Sequence, residues 1–359
     1  MRPWKLARAV ATGLMLLAFA GAARAETFSF VALGDTTYNP SVDYPVYDAL
    51  IARINQARPA FSIHVGDTWG ALPCTEDQHR SVLAWFAKYD HPVVYTPGDN
   101  EWVDCRKPEV LAAYTRYVTG KGTPEDMALL LPLRGLDAGM AGAGFDDPLG
   151  SLALIRKVFF SRPQSVGAHP MPLVRQPDVS DFKDTLENTR WEKDGVLFAT
   201  VSVPGSGNGL TMNDPVRAAE AIARNRANVE WIKATFAEAR ARKAKAVVIA
   251  MQASLFGEGR GDSFSGKELR GGTEGPFYWV ALAIRDLGAQ FGKPVLIING
   301  DFHDLIVDRP FRVGQGEAKP ALYGNITRLQ VYGAPELKAV KVGVDTDTPW
   351  VFSFEPLYN

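Results

Sequence analysis

From Phe28 onward, short apolar runs alternate with stretches whose apolar residues fall at helical spacing. FSFVAL (Phe28–Leu33), AFSIHV (Ala60–Val65) and PVVY (Pro92–Tyr95) are brief, rich in β-branched and aromatic residues, and bounded by turn formers, which predicts strands. Between them, YPVYDALIARINQ (Tyr44–Gln56) and TEDQHRSVLAWFAK (Thr75–Lys88) space their apolar residues by three and four, which predicts helices. The second opens on Thr75, a capping residue, and sets His79, Val82, Leu83 and Phe86 on one side. The alternation resumes with a strand over Gly195–Val203, a long helix over Asp214–Arg242, a strand over Ala246–Ala250, a helix over Phe277–Phe291 and a strand over Pro294–Ile298. Strands alternating with single helices predict βαβ units, a parallel sheet and an α/β fold. Residues 120–195 break the rhythm with GKGTPED, GLDAGMAGAGFDD and SRPQSVGAHPMP. They read as an irregular insertion with a helix near Pro148–Phe160. From Leu305 the chain turns to short β segments: LIVD, ITRLQVY, LKAVKVGV and WVFSFEPL.

The first 25 residues stand outside this pattern. Arg2, Lys5 and Arg8 precede an apolar segment over Ala9–Ala23, and Ala23-Arg24-Ala25 is an A-x-A cleavage pattern, which predicts a signal peptide removed after Ala25. An uncleaved anchor is the alternative, although the segment is short for a span and lacks a stop-transfer pattern. The expected mature unit is residues 26–359, in the periplasm or secreted, with no later segment apolar enough to cross a bilayer. Hydrophobic residues at 46% and charged residues at 22% are ordinary for a globular chain. Loss of residues 1–25 removes four of the 39 basic residues and none of the 40 acidic ones, leaving a formal charge of −5. That balance lacks the basic excess of a nucleic-acid binder. The two cysteines, Cys74 and Cys105, follow Asp67 and Asp99 closely. If both aspartates end adjacent strands, both cysteines emerge at one sheet edge, where an exported chain could pair them; two free thiols are the alternative.

The candidate chemistry lies in a Gly-Asp pair that follows four apolar runs. These are FVALGD ending at Asp35, SIHVGD at Asp67, VVYTPGD at Asp99 and VLIINGD at Asp301. In α/β sheets, ligands bind at the carboxyl ends of strands, and each pair falls at such an end. One Gly-Asp alone reads as a turn or helix cap. Carboxylates gathered at one edge would repel and raise one another's pKa, and a cation removes that cost. Carboxylate oxygens suit Mg, Mn and Ca; imidazole, supplied by His303 beside Asp301, widens the choice to Zn or Fe.

These motifs, in this order, resemble the calcineurin-like metallophosphoesterase superfamily. Gly34-Asp35-Thr36-Thr37, Gly66-Asp67, Gly98-Asp99-Asn100-Glu101, Met251-Gln252-Ala253-Ser254 and Gly300-Asp301-Phe302-His303 take the places of the family's D-x-H, G-D, G-N-H-D/E, lone-His and G-H-x-H motifs. The resemblance covers about residues 28–310 and implies a β-sandwich of two mixed sheets flanked by helices. It also implies a centre of two divalent metal ions (Mn, Mg, Ca, Fe or Zn). Asp67 would bridge the metals, Asp35 and His303 would hold the first, and Asp99, Gln252 and Asp301 the second. Asn100 stands where the family has the histidine that contacts the scissile phosphate, and Glu101 matches the acidic residue after it; these two are the candidate catalytic pair. A register shift of one residue would instead make Asn100 the amide ligand. Thr37, Asn100 and Gln252 replace family histidines, which shifts the donor set toward oxygen.

The resemblance further implies that the loop PGSGNGLTMND borders the substrate cleft, with Asn208 and Asn213 as candidate contacts. Arg260, with Lys267 and Arg270, is a candidate phosphate contact from the loop after Gln252, because guanidinium matches phosphate in two-pronged geometry. His79, His91 and His169 are candidates to replace the missing histidine. Trp69 and Trp102 either wall the cleft or pack in the core, and the arginines of the 214–242 helix read as a solvated face. The expected activity is hydrolysis of a phosphoester small molecule, a phosphomonoester or phosphodiester, by a metal-activated water. The rival reading is a catalytically impaired relative that binds a ligand or partner at the same edge.

Overall fold

The structure is a computed structural model and describes residues 28–38, 40–70, 73–105, 107–130, 147–211, 213–256, 275–311 and 323–358. The expected signal peptide, residues 1–25, lies outside them. The amino-terminal half runs β1 (Phe28–Leu33), α1 (Pro40–Ala57), β2 (Ser62–His64), α2 (Glu76–Phe86), β3 (Val93–Tyr95), α3 (Pro108–Val118), α4 (Pro124–Leu130) and α5 (Pro148–Phe159). It continues through β4 (Val174–Arg175), α6 (Gln176–Val179), β5 (Thr189–Lys193), β6 (Val196–Thr200) and α7 (Gly205–Asn208). The remainder is α8 (Pro215–Ala241), β7 (Ala246–Ala250), α9 (Tyr278–Phe291), β8 (Val295–Asn299), β9 (Ile306–Asp308), β10 (Ile326–Gln330), β11 (Ala339–Asp345) and β12 (Val351–Leu357).

Two mixed sheets form. The first has the order β12-β11-β1-β2-β3 and the second β4-β5-β6-β7-β8-β10-β9. β1, β2 and β3 are parallel, as are β6, β7, β8 and β10. The remaining neighbours are antiparallel, so both sheets are mixed as expected, and the parallel pairing signalled by the strand–helix alternation is found in the central strands. The reason is local. β5 and β6 are joined by Asp194-Gly195, both at positive φ (50° and 80°), the two-residue hairpin turn that reverses a chain with the right twist. β5 lies within residues 120–195, so this part of the region read as an insertion is built into the larger sheet.

The sheets face each other across Phe30, Phe61, Ile63 and Val94 from one side and Phe198, Val248, Leu296 and Leu329 from the other. Phe30 stacks on Phe61 at 5.3 Å and meets Phe198 edge-on at 5.5 Å, which ties the layers together. On the outer faces, α1, α2 and α5 bury Leu50, Ile54, Val82, Phe86 and Ile155, while α8 and α9 bury Trp231, Phe236, Val280 and Ile284. Helix ends sit where capping chemistry predicts. Thr75 accepts from the Gln78 amide at 3.2 Å, and Asp214 from Val216 and Arg217 at 3.0 and 3.1 Å. Cys74 and Cys105 form a disulfide that joins the loops after β2 and β3 across 31 residues. In the chain-entropy model such a closure contributes about 3–4 kcal/mol. Among the described residues, no helix is long and apolar enough to cross a membrane.

Candidate functional site

The chain leaves β1, β2, β3, β7 and β8 at one edge, and Asp35, Asp67, Asp99, Gln252 and Asp301 meet there. The Asp301 amide donates to Asp35 Oδ1 at 2.9 Å, and Gln252 Nε2 to Asp67 Oδ2 at 3.3 Å. The glycine of a Gly-Asp pair serves its neighbour. A Cβ on Gly98 would fall on the Asp67 carboxylate, and one on Gly300 on that of Asp35. A Cβ on Gly205, opposite, would lie 2.8 Å from both Asp99 Oδ2 and Asp301 Oδ1. Asp35, Thr37, Asp67, Asp301 and His303 all adopt left-handed backbone, with φ of 51°, 63°, 52°, 81° and 64°. Aspartate tolerates that region; β-branched Thr37 does so at a cost of about 1–3 kcal/mol. Strain of this kind gathers where a site over-determines its backbone.

The two central carboxylates differ. Asp67 is covered. Its Oδ1 accepts from the Asn100 amide at 3.2 Å, and its Oδ2 from Tyr38 OH at 2.6 Å, Asn100 Nδ2 at 3.1 Å and Gln252 Nε2. Asp35 is fully buried, and its Oδ2 has no hydrogen-bond partner among the described residues. His303 Nε2 lies 3.6 Å from Asp35 Oδ1. His303 Nδ1 lies 2.6 Å from the Ala334 carbonyl, which only accepts, so Nδ1 carries a proton and Nε2 is the ring nitrogen turned toward Asp35. That is how metal-binding histidines are held. Burial, then the charges of Asp301, Asp99 and Glu101, pushes the Asp35 carboxyl well above its ordinary range. Burial, then Asp99, Glu101 and Asp35, does the same at Asp67, where the Tyr38 hydroxyl opposes it.

Glu101 is fully buried and braces the loops. Its Oε1 accepts from Thr68 N (2.6 Å) and Thr68 Oγ1 (2.8 Å), and its Oε2 from Asp67 N (3.1 Å) and Gly98 N (2.9 Å). Four donors leave it no room for substrate. Thr37 donates to the Thr68 carbonyl. Asn208 is buried and belongs to the scaffold: its side chain accepts from Arg224 Nη1 (2.6 Å) and donates to the Pro276 carbonyl (3.3 Å). Asn213 is exposed, its amide donating to Thr211 Oγ1 at 3.3 Å. Arg260, Lys267 and Arg270 lie outside the described residues. His79 is caged by Trp69 and Phe159, His91 pairs with Ser62 Oγ at 2.8 Å, and His169 is exposed; none of them reaches the strand-end carboxylates. Trp69 and Trp102 are buried core residues.

Tyr38 went unnoticed in the sequence, and two helix arginines were read there as solvated. Tyr38, three positions after Asp35, bonds Asp67, accepts from Asn100 Nδ2 at 2.8 Å and sets its ring edge-on to His303 at 4.9 Å. An aromatic so close behind Gly-Asp was the available signal. Arg224 and Arg217 of α8 are buried rather than solvated. Arg224 pairs with Glu220 one turn earlier (2.9 Å) and holds the 205–209 loop through the Asn208 carbonyl (2.8 Å). The i,i+4 Glu-Arg spacing was its signal.

The donor set does not fit two metals. The atom of Gln252 facing the Gly205 amide must be Oε1, because a backbone N–H only donates; Nε2 therefore points at Asp67, and Gln252 offers that place no ligand atom. Among the described residues, no group of three or more His, Cys, Asp and Glu is arranged to hold a metal ion. The Asp35 carboxylate, with Oδ2 unpartnered among the described residues, and His303 Nε2, 3.6 Å from its Oδ1, do fit one cation whose remaining positions are water or substrate oxygens.

No protein-family model matches the chain, and no curated protein matches it. Similar solved structures include the structure of PhoD, at TM-score 0.48 and 10% identity over 90% of this chain. They also include GAP50, the anchor in the inner membrane complex of Plasmodium, at TM-score 0.40 and 12% identity over 92% of this chain and 89% of that one. The chain spans 65% of the length of the PhoD chain. At these values the likeness carries no inference about activity.

Proposed function

We propose that the chain is an exported, metal-dependent phosphoester hydrolase of the calcineurin-like type. The observation that carries this reading is the buried Asp35 carboxylate, whose Oδ2 has no hydrogen-bond partner among the described residues and whose Oδ1 lies 3.6 Å from His303 Nε2. Asp35 and His303 would hold a divalent cation, which when bound supplies Lewis-acid polarisation of a phosphoryl oxygen. Asp301, whose amide fixes Asp35 and whose Oδ2 accepts from Ser254 N at 3.1 Å, orients the pair. Asn100 and Tyr38, both half-buried, are the polar donors at the open side of the carboxylates. On binding a phosphomonoester or phosphodiester they would exchange their bonds to Asp67 for bonds to its non-bridging oxygens. Asp67 would hold both donors in place before substrate enters.

A second reading, a binding protein without turnover, is favoured by one observation: the hydrogen bonds that cover Asp67 leave it no open oxygen. The purified exported protein, assayed on chromogenic phosphomonoesters and diesters with Mn²⁺, Mg²⁺, Ca²⁺, Fe²⁺ or Zn²⁺, separates the two. Metal-dependent turnover that disappears in Asp35→Asn is the expected result. A folded protein that binds cation without turnover on any ester sinks the hydrolase reading in favour of the second.

A further inference from the structure

We infer that this centre is built for one divalent cation, with hydrogen-bond donors standing where a second would bind. The inference rests on the cation-binding part of the proposed function and not on turnover.

The two halves of the site show the substitution atom by atom. At the Asp35 half, a fully buried carboxylate oxygen has no partner among the described residues, and a ring nitrogen with its tautomer fixed by the Ala334 carbonyl faces the same carboxylate. A buried carboxylate oxygen left bare costs free energy that a cation, a donor or a proton removes. Among the described residues no donor is supplied there, which leaves the place open to a cation. At the Asp67 half the position is reversed. Tyr38 OH, Asn100 Nδ2 and Gln252 Nε2 all converge on Oδ2, at 2.6, 3.1 and 3.3 Å. A cation bridging through that oxygen would meet three donor hydrogens. Displacing them would strand the Tyr38 hydroxyl and two amide groups in a largely buried place.

The Gln252 carboxamide cannot simply turn over to offer its oxygen, because Gly205 N–H would then face an NH₂. Tyr38 in turn is held by Asn100 and by the His303 ring, so the donor cluster is fixed from both sides. The ligand type at the open half, one carboxylate and one imidazole completed by water, admits Mn²⁺ among the divalent ions, which makes it a usable paramagnetic probe.

The test is Mn²⁺ titration calorimetry on the full protein after chelation, together with its electron paramagnetic resonance spectrum. One Mn²⁺ per chain is expected, with the six-line spectrum of an isolated ion. His303→Ala is expected to weaken binding more than tenfold, and Asp99→Asn to keep the single ion. Two Mn²⁺ per chain with a spin-coupled spectrum overturns the inference. So does no binding, and so does one ion that survives His303→Ala or is lost in Asp99→Asn. One bound Mn²⁺ with no esterase turnover leaves this inference standing and removes the hydrolase reading alone, so the two failures are distinguishable.

Discussion

Asp35 and Asp67 end neighbouring parallel strands, are both buried, and follow the same Gly-Asp motif, yet their surroundings are opposite. Asp67 accepts from Tyr38, Asn100 and Gln252, whereas one oxygen of Asp35 accepts from none of the described residues. Position at a strand end therefore does not decide what a carboxylate can bind. The donors that neighbouring loops bring to it decide. A carboxylate already satisfied by neutral donors is part of the scaffold, and one left bare is a site.

The strongest way to break this contrast is to neutralise each carboxylate in cation-free protein and measure urea unfolding. Asp67→Ala strands its donors and is expected to destabilise by about 3 kcal/mol. Asp35→Asn keeps the volume while removing a buried charge, and is expected to be neutral or stabilising by up to about 1–2 kcal/mol. The contrast fails if both variants move stability in the same direction by the same amount. With Mn²⁺ added, wild type should gain thermal stability and Asp35→Asn should not.

Acid sharpens the contrast from outside the site. Burial lowers His64 to about 3 and both His79 and His91 to about 4, from an ordinary 6.5. Their folded-state values are depressed, so the stability they contribute is present above about pH 6.5 and is lost as pH falls toward 4. Asp35 and Asp67, raised above their ordinary value, act in the opposite sense: the folded chain gains stability as they take up protons. Between pH 7 and 5, His79 alone accounts for a loss of about 2 kcal/mol. His79→Phe should flatten that limb by this amount in urea midpoints measured at both pH values; an unchanged slope would show that His79 is not the group responsible.

The smallest effect belongs to Tyr38→Phe, which removes one of the donors on Asp67. It is expected to cost about 1 kcal/mol while leaving Mn²⁺ affinity unchanged. A Mn²⁺ affinity that rises severalfold in this variant would instead mean that the phenol competes with the cation for the open half.

Much of the fold was readable locally. Phe28–Leu33 and Ala246–Ala250 are strands over the residues that periodicity marked, and Thr75 and Asp214 cap the helices they were expected to open. β5 was missed although TRWEK-DG-VLFAT carries a strand–turn–strand signal, because the Gly- and Pro-rich residues before it suggested irregular structure throughout. The same distinction runs through the site. Four Gly-Asp strand ends pointed to one edge, and the structure brings those aspartates together there. Glu101 stood in the pattern as one of a candidate catalytic pair with Asn100, and its carboxylate accepts from Thr68, Asp67 and Gly98.

What the sequence determined by itself is the set of elements and the edge where the aspartates gather. Strand and helix periodicity is written over a few consecutive residues, and a strand's end needs no distant partner to be recognised. What only the tertiary structure decided is which carboxylate is covered. The donors on Asp67 come from 29, 33 and 185 residues away, and their convergence depends on two sheets meeting at one edge. Hydrogen bonds are directional over about 3 Å, so identity and spacing along the chain cannot reveal whether a particular oxygen will find a donor.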